Sequence, residues 1–145
     1  MKPFLSRSRQ ETVDLGKAFA ATVSPGDVVA IYGSLGSGKT QFVVGMCEAL
    51  AVHSHVASPT FTIINEYPAS FGTVVHIDLY RVSSRSEIAE LGIEEYFNRN
   101  CICVIEWPES IRDLLPAQHH VVEMNFGKGD NEREIVIQEV HGVAA

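Results

Sequence analysis

Apolar residues along the chain recur first at helical and then at strand spacing, and each change of period marks an element. Leu15, Ala18, Phe19 and Thr22 stand at i, i+3, i+4 and i+7. Ser8-Arg9-Gln10-Glu11 reads as a capping box opening this first helix, and Ser24-Pro25-Gly26-Asp27 ends it. Val28-Val29-Ala30-Ile31-Tyr32 is a short β-branched run, predicting a strand. From Thr40 to Leu50 the apolar positions return to helical spacing, so a second helix is expected to about Ala51. The runs over 61–67 and 73–80 are rich in β-formers and flank Pro68-Ala69-Ser70-Phe71-Gly72, which predicts an antiparallel hairpin. Ser84-x-x-Glu87 is a second capping box, opening a short helix with Ile88 and Leu91. Gly92 interrupts it before Ile93, Tyr96 and Phe97 form another stripe, read as core. Cys101-Ile102-Cys103-Val104-Ile105 is apolar throughout, as expected of a central strand covered on both faces. Pro108 suits the first turn of a short helix closed by Leu114, Leu115 and Pro116. Finally, 120–126 and 134–138 flank Gly127-Lys128-Gly129-Asp130-Asn131, a closing hairpin. No repeat, low-complexity tract or linker interrupts the order. The expectation is one domain over residues 1–145, with a mixed parallel and antiparallel sheet and helices on its faces.

Between the first strand and the second helix stands Gly33-Ser34-Leu35-Gly36-Ser37-Gly38-Lys39-Thr40. It fits G-x-x-x-x-G-K-[ST], the phosphate-cradling P-loop. Its glycines let the backbone turn with several N–H groups pointing inward, making a nest for anions. The helix that follows adds its own unpaired N–H groups and positive dipole end at the same spot. Lys39 can then reach outer phosphates, and the Thr40 hydroxyl can ligate Mg²⁺. A Gly/Ser loop matching by chance would not need a strand before it and a helix after it; this one has both. The fold class expected is a P-loop NTPase-like, three-layer α/β domain.

Composition changes the picture of partners more than of fold. The net charge is −7, and the basic residues (Arg7 and Arg9, Arg81 and Arg85, Arg99, Arg112) form no stripe. Phosphate neutralisation dominates unaided nucleic-acid binding, so any nucleic acid in this protein's pathway is expected to be held by another subunit. No apolar run approaches the roughly 20 residues that span a bilayer. The start, Met1-Lys2-Pro3-Phe4-Leu5-Ser6-Arg7, has no apolar stretch after its basic residues, so it does not read as a secretory signal. The cytoplasm is the default expectation. Cys47, Cys101 and Cys103 contain no C-x-x-C pair and read as buried free thiols of a reduced compartment. His53/His55 and His119/His120 sit near element ends without an evident Cys or carboxylate partner, so no structural metal is expected.

A P-loop enzyme also needs an acid at a strand end to hold Mg²⁺, directly or through water, and a group to position attacking water. Asp78 and Glu106 each end an apolar strand, where ligands of open α/β sheets collect. The bland reading of Glu106 is a solvated charge favoured by the dipole of the helix it opens. For Asp78 it is an exposed charge between Ile77 and Leu79. The functional reading is preferred for both, and the division of labour between them stays open. Ser58-Pro59-Thr60-Phe61-Thr62 could offer Thr60 as a hydroxyl ligand in a loop that moves with nucleotide state. Ser/Thr/Pro loops are equally common as plain connectors.

Taken together, residues 33 to 40, Ser58-Pro59-Thr60-Phe61-Thr62, His76-Ile77-Asp78-Leu79-Tyr80-Arg81 and Ile105-Glu106-Trp107-Pro108-Glu109 resemble the TsaE family. That family is the bacterial P-loop ATPase needed to make N6-threonylcarbamoyladenosine in tRNA. Glu90-Leu91-Gly92-Ile93-Glu94-Glu95-Tyr96 matches as well, and the likeness spans about residues 10 to 138. The resemblance implies that Gly33, Ser34, Leu35, Gly36, Ser37, Gly38, Lys39, Thr40 and Gln41 bind ATP. It implies that Thr40 and Glu106 hold Mg²⁺, and that Lys39, Asp78 and Glu106 form the catalytic set. Thr60 and Trp107 would line the same site, and Thr12 would lie near the base. Ser34 and Gln41 depart from the acidic residue and the threonine the family usually carries there. The family works with two proteins, TsaB and TsaD. TsaD transfers the threonylcarbamoyl group to adenosine 37 of tRNA, and hydrolysis by TsaE resets the complex, so tRNA is reached only indirectly. Two other readings compete: a nucleotide-gated binding module with incidental hydrolysis, and a small P-loop kinase. The kinase is the poorer fit, because only Arg81 and Arg85 are grouped and little chain is left for a lid.

Overall fold

Ser8 opens the first helix as its sequence requires. Its Oγ accepts the Glu11 N–H at 3.1 Å, while Glu11 Oε1 takes the Arg7 N–H at 3.0 Å. Helix α1 then runs Arg9–Ala20. In this computed structural model, which describes residues 3–59 and 62–142, the second helix α2 is Lys39–Ala49 and the third, α3, is Arg85–Leu91. Ser84 Oγ caps α3 through the Glu87 N–H at 3.2 Å, and Gly92 ends it in the left-handed region. A 3₁₀ turn over Ile93–Tyr96 carries the stripe that follows.

Among the described residues seven strands make one sheet: β1 (Phe4–Ser6), β2 (Val28–Gly33), β3 (Ile64–Ala69), β4 (Gly72–Asp78), β5 (Cys101–Glu106), β6 (Gln118–Phe126) and β7 (Arg133–His141). Their order is β1-β7-β6-β2-β5-β4-β3. The four middle strands β6, β2, β5 and β4 are parallel, and antiparallel strands flank them on both sides. Side-chain alternation then builds two cores. Val29, Ile31, Ile102 and Val104 face α1 and α2, with Phe19, Phe42 and Met46 packed on them. Val75, Ile77, Cys103 and Ile105 face the other way, toward Ile88 of α3, Ile93 and Ile111. All six residues of β5 are buried, as two covering layers demand. The mixed sheet between two helical layers is the α/β architecture expected from the pattern.

Helices α1 and α2 touch through glycines. A Cβ on Gly45 would meet the Val13 carbonyl oxygen at 1.9 Å, and one on Gly16 the Phe42 oxygen at 2.1 Å. No side chain fits at either crossing point, so this contact fixes how α2 lies on the sheet and where its N-terminus points.

Four local readings are corrected. Pro68 lies inside β3, opposite Thr73, and the turn is Ser70-Phe71 alone; β3 is an edge strand, where a missing N–H is tolerated. The segment after Trp107 is 3₁₀ over Pro108–Leu114, broken at Ile111 (φ −123°), whose side chain is fully buried in the second core. Strand β1 was not expected; three residues with only Ser6 buried carry too short a pattern to read. His120 does have a carboxylate partner, since its Nε2 lies 3.1 Å from Asp27 Oδ2, tying the start of β6 to the entry of β2. The three cysteines are free and buried, as read. Among the described residues no helix is long and apolar enough to cross a membrane.

Candidate functional site

Strand β2 ends where the P-loop must turn, and the loop delivers α2 through Gly38 at φ 99°, a conformation that favours glycine. The helix start is therefore aimed at the crevice above the parallel strands. A cavity of about 600 Å³ opens there, of the size that holds small ligands. Leu35, Gly36, Ser37, Gly38, Lys39, Thr40 and Gln41 line it from the loop and helix; Thr12, Asp78, Glu106 and Trp107 line it from three other elements. Eleven of the sequence-predicted residues are thus brought to one place. Gly33 and Ser34 do not line the cavity; they act through their carbonyls, which accept from Lys39 Nζ at 2.6 and 3.0 Å. Thr60 lies outside the described residues.

Lys39 is 5% exposed, and its ammonium lies 4.0 Å from the centroid of the Trp107 ring. Burial pulls its pKa down, against the carboxylates of Glu106, Asp78 and Glu109, which act to raise it. Trp107 is itself unusual. It sits in the left-handed region at φ 58°, uncommon for a bulky residue, with its ring 4.8 Å from that of Tyr80. Residues held in this way concentrate at functional sites.

The two acids stand side by side because the sheet puts them there. Asp78 and Glu106 are register partners across parallel β4 and β5. Both are buried, at 4% and 3% exposure. Neither is therefore the solvated charge of the bland reading. Asp78 Oδ1 accepts the Tyr80 N–H at 2.8 Å, and the Asp78 N–H donates to the Ile63 carbonyl at 2.8 Å. Glu106 Oε2 accepts the Thr40 hydroxyl at 3.2 Å. From behind, His76 Nε2 lies 2.5 Å from the same Glu106 oxygen.

A phosphate-bound Mg²⁺ fits this donor set. Such an ion keeps several waters and takes one or two protein oxygens plus phosphate oxygens. Thr40 and Glu106 supply a hydroxyl and a carboxylate at the mouth of the cradle. Among the described residues no group of three or more His, Cys, Asp or Glu side chains forms the richer cage a resident structural ion would use. Phosphate fits the loop as well: Ser37 Oγ is buried without a hydrogen-bond partner among the described residues, a hydroxyl whose desolvation a phosphate oxygen could offset.

Several lining residues were not singled out from sequence as part of the site. Ser8 and Arg9 reach the cavity one turn before Thr12, and Arg9 Nε donates to Gln41 Oε1 at 2.8 Å. Helical spacing from Thr12 could have found them. Arg133 comes from β7, donating to the Ser37 carbonyl at 3.2 Å and the Gly36 carbonyl at 3.3 Å, with its guanidinium 4.6 Å over Phe126. Nothing local predicts it, since 97 residues separate it from Gly36.

A sequence profile described as "Threonylcarbamoyl adenosine biosynthesis protein TsaE" matches residues 6–135. The chain is 40% identical over 131 residues to the tRNA threonylcarbamoyladenosine biosynthesis protein TsaE of Bacillus subtilis, covering 90% of this chain and 81% of that one. It is 33% identical to the protein of the same name from Treponema pallidum, over 92% and 97% of the two chains. In three dimensions it is similar to a crystal structure of Bacillus subtilis YdiB, with a TM-score of 0.79 at 34% identity, covering 97% of this chain and 85% of that one.

Proposed function

The chain belongs to the TsaE family of threonylcarbamoyladenosine biosynthesis proteins, and on that premise we propose that it is a single-domain, Mg²⁺-dependent ATPase of the cytoplasm that resets a TsaB–TsaD complex between rounds of tRNA modification. The observation that carries this reading is the contact between Thr40 of the helix start and Glu106 of the adjacent strand end, beside a buried Lys39. It is the minimum apparatus for gripping a metal-bound triphosphate.

Each residue then has a role. The backbone N–H groups of the loop and α2 hold the phosphates, and Lys39 adds a point charge at the outer ones. Thr40 and Glu106 hold Mg²⁺, which when bound neutralises charge developing on the transferred phosphoryl group. Asp78, braced by the Tyr80 N–H, orients the attacking water. Trp107 covers Lys39 and keeps solvent from its charge. Thr12 and Arg9 line the far side, where the nucleoside would lie.

The open side of this cavity argues for help from outside. A site that does not exclude water lacks much of its electrostatic effect until something closes it. Isolated chain should therefore hydrolyse ATP weakly and be clearly stimulated by TsaB with TsaD. With net charge −7, it should bind tRNA poorly by itself at physiological salt. The deciding assay is tRNA modification by purified TsaB and TsaD, with and without this chain and ATP, followed over many turnovers. Loss of multiple turnovers without the chain is the expected result. Equal ATPase rates for the isolated chain and the assembled complex would refute the reading, as would tight, salt-sensitive tRNA binding by this chain alone.

A further inference from the structure

Behind Glu106 the α1/α2 face of the sheet carries a row of polar side chains among apolar ones. His76 on β4 is fully buried. Its Nε2 meets Glu106 Oε2 at 2.5 Å, and its Nδ1 lies 3.2 Å from the Tyr67 hydroxyl on β3. That hydroxyl donates to the Ala57 carbonyl at 3.1 Å, and Asn65 Nδ2 reaches both the hydroxyl and the same carbonyl at 3.4 Å. The row therefore crosses three neighbouring strands. It begins at Ala57, next to the cavity-lining Ser58, and ends at the carboxylate that faces Thr40.

Such a row is an expensive way to fill a core. Buried polar groups destabilise unless every one is paired, and apolar residues of similar volume serve packing as well or better. Val74 and Val104, flanking His76 on this face, show what the position would otherwise hold. What an apolar residue could not do is hold a carboxylate oxygen in one place. Glu106 has a rotatable carboxyl, and with His76 behind it one oxygen is pinned between the imidazole and the Thr40 hydroxyl. Groups that orient a metal-binding carboxylate in this way tune the affinity of the ion.

Resting on the ATPase reading above, we propose that His76 is the positioning residue that fixes the Glu106 carboxylate for Mg²⁺, with Tyr67 bracing His76 against the Ala57 carbonyl. The bracing links the segment at Ala57 to the metal-binding end of the row.

The test uses the full chain and the fluorescence of its single tryptophan, Trp107, which lines the cavity. ATP is titrated in excess EDTA and again in Mg²⁺, and the gain in affinity with Mg²⁺ is the readout. His76→Ala should shrink that gain by about tenfold or more while leaving the EDTA affinity within about twofold. His76→Gln, whose side-chain amide can donate toward Glu106, should restore most of it. Tyr67→Phe should shrink it less, and should add nothing when combined with His76→Ala, because both act through one contact. Should His76→Ala fail to fold, the Gln and Phe variants still decide the matter. A full gain retained in His76→Ala overturns the proposal. So does an equal loss in EDTA and in Mg²⁺, which marks a merely structural residue, or full additivity of the two substitutions. A wild type that shows no Mg²⁺ gain fails differently: it removes the ATPase reading itself, and this assignment with it.

Discussion

Lys39→Ala lowers ATP affinity by at least about tenfold, because it removes a charge-assisted contact worth about 1.5–3 kcal/mol while the backbone nest survives. Calorimetry on the folded variant measures this directly, and unchanged affinity would dispose of the cradle as the nucleotide site. Burial holds the Lys39 ammonium below its usual pKa, so keeping it charged costs the folded state. The sign follows from proton counting. Between the lowered folded pKa and the ordinary value of about 10.4, the unfolded chain binds more protons, so stability rises with pH there. That rise belongs to wild type and should be missing from Lys39→Ala in thermal melts over the alkaline range.

The second large effect separates the two acids. Glu106→Ala deletes a carboxylate of the metal-binding pair, and turnover should fall on the order of 100-fold, about 2.7 kcal/mol out of the several that a metal supplies. Its ATP affinity should also lose its dependence on Mg²⁺. Asp78→Ala should spare ATP binding and damage turnover, since it is assigned to water rather than to the ion. Titrating Mg²⁺ at fixed ATP, with phosphate release as the signal, distinguishes the two. If Asp78 proved to control the Mg²⁺ dependence and Glu106 only the rate, the two acids would have to exchange roles.

Much of the fold was legible because its signals are local. Ser8 and Ser84 each stand three residues before a glutamate, and both cap a helix through that residue's N–H. The unbroken apolar run of β5 announced a strand covered on two faces, and it delivers Glu106 where a ligand would collect. The P-loop spacing located the cavity. What stayed hidden depends on partners distant in sequence. Pro68 reads as a turn residue until β3 is known to lie at an edge. Arg133 reaches the loop only because the β6–β7 hairpin folds back beside β2. His76 drew no notice apart from its motif, since its carboxylate lies 30 residues further on. That Asp78 and Glu106 adjoin follows from the register of β4 against β5, a fact of pairing that no single segment contains.

The cysteines, finally, make the chain its own recorder of opening. Cys47 and Cys103 are at most 1% exposed and Cys101 is 9% exposed. Burial raises all three thiol pKa values, that of Cys47 to about 12. Only thiolate attacks an alkylating reagent, so at Cys47 and Cys103 an intact molecule offers neither ionisation nor access, while Cys101 keeps a little of its surface. Each covalent label on Cys47 or Cys103 counted by mass spectrometry then marks an opening event, and its pace reports how often that part of the molecule comes apart. Cys101, at the start of β5, should be tagged first. Cys47 and Cys103, sealed in opposite layers, should follow together and far more slowly, at the tempo of complete unfolding. Early tagging of Cys47 alone would instead reveal that the α1–α2 layer lifts from the sheet as a separate unit.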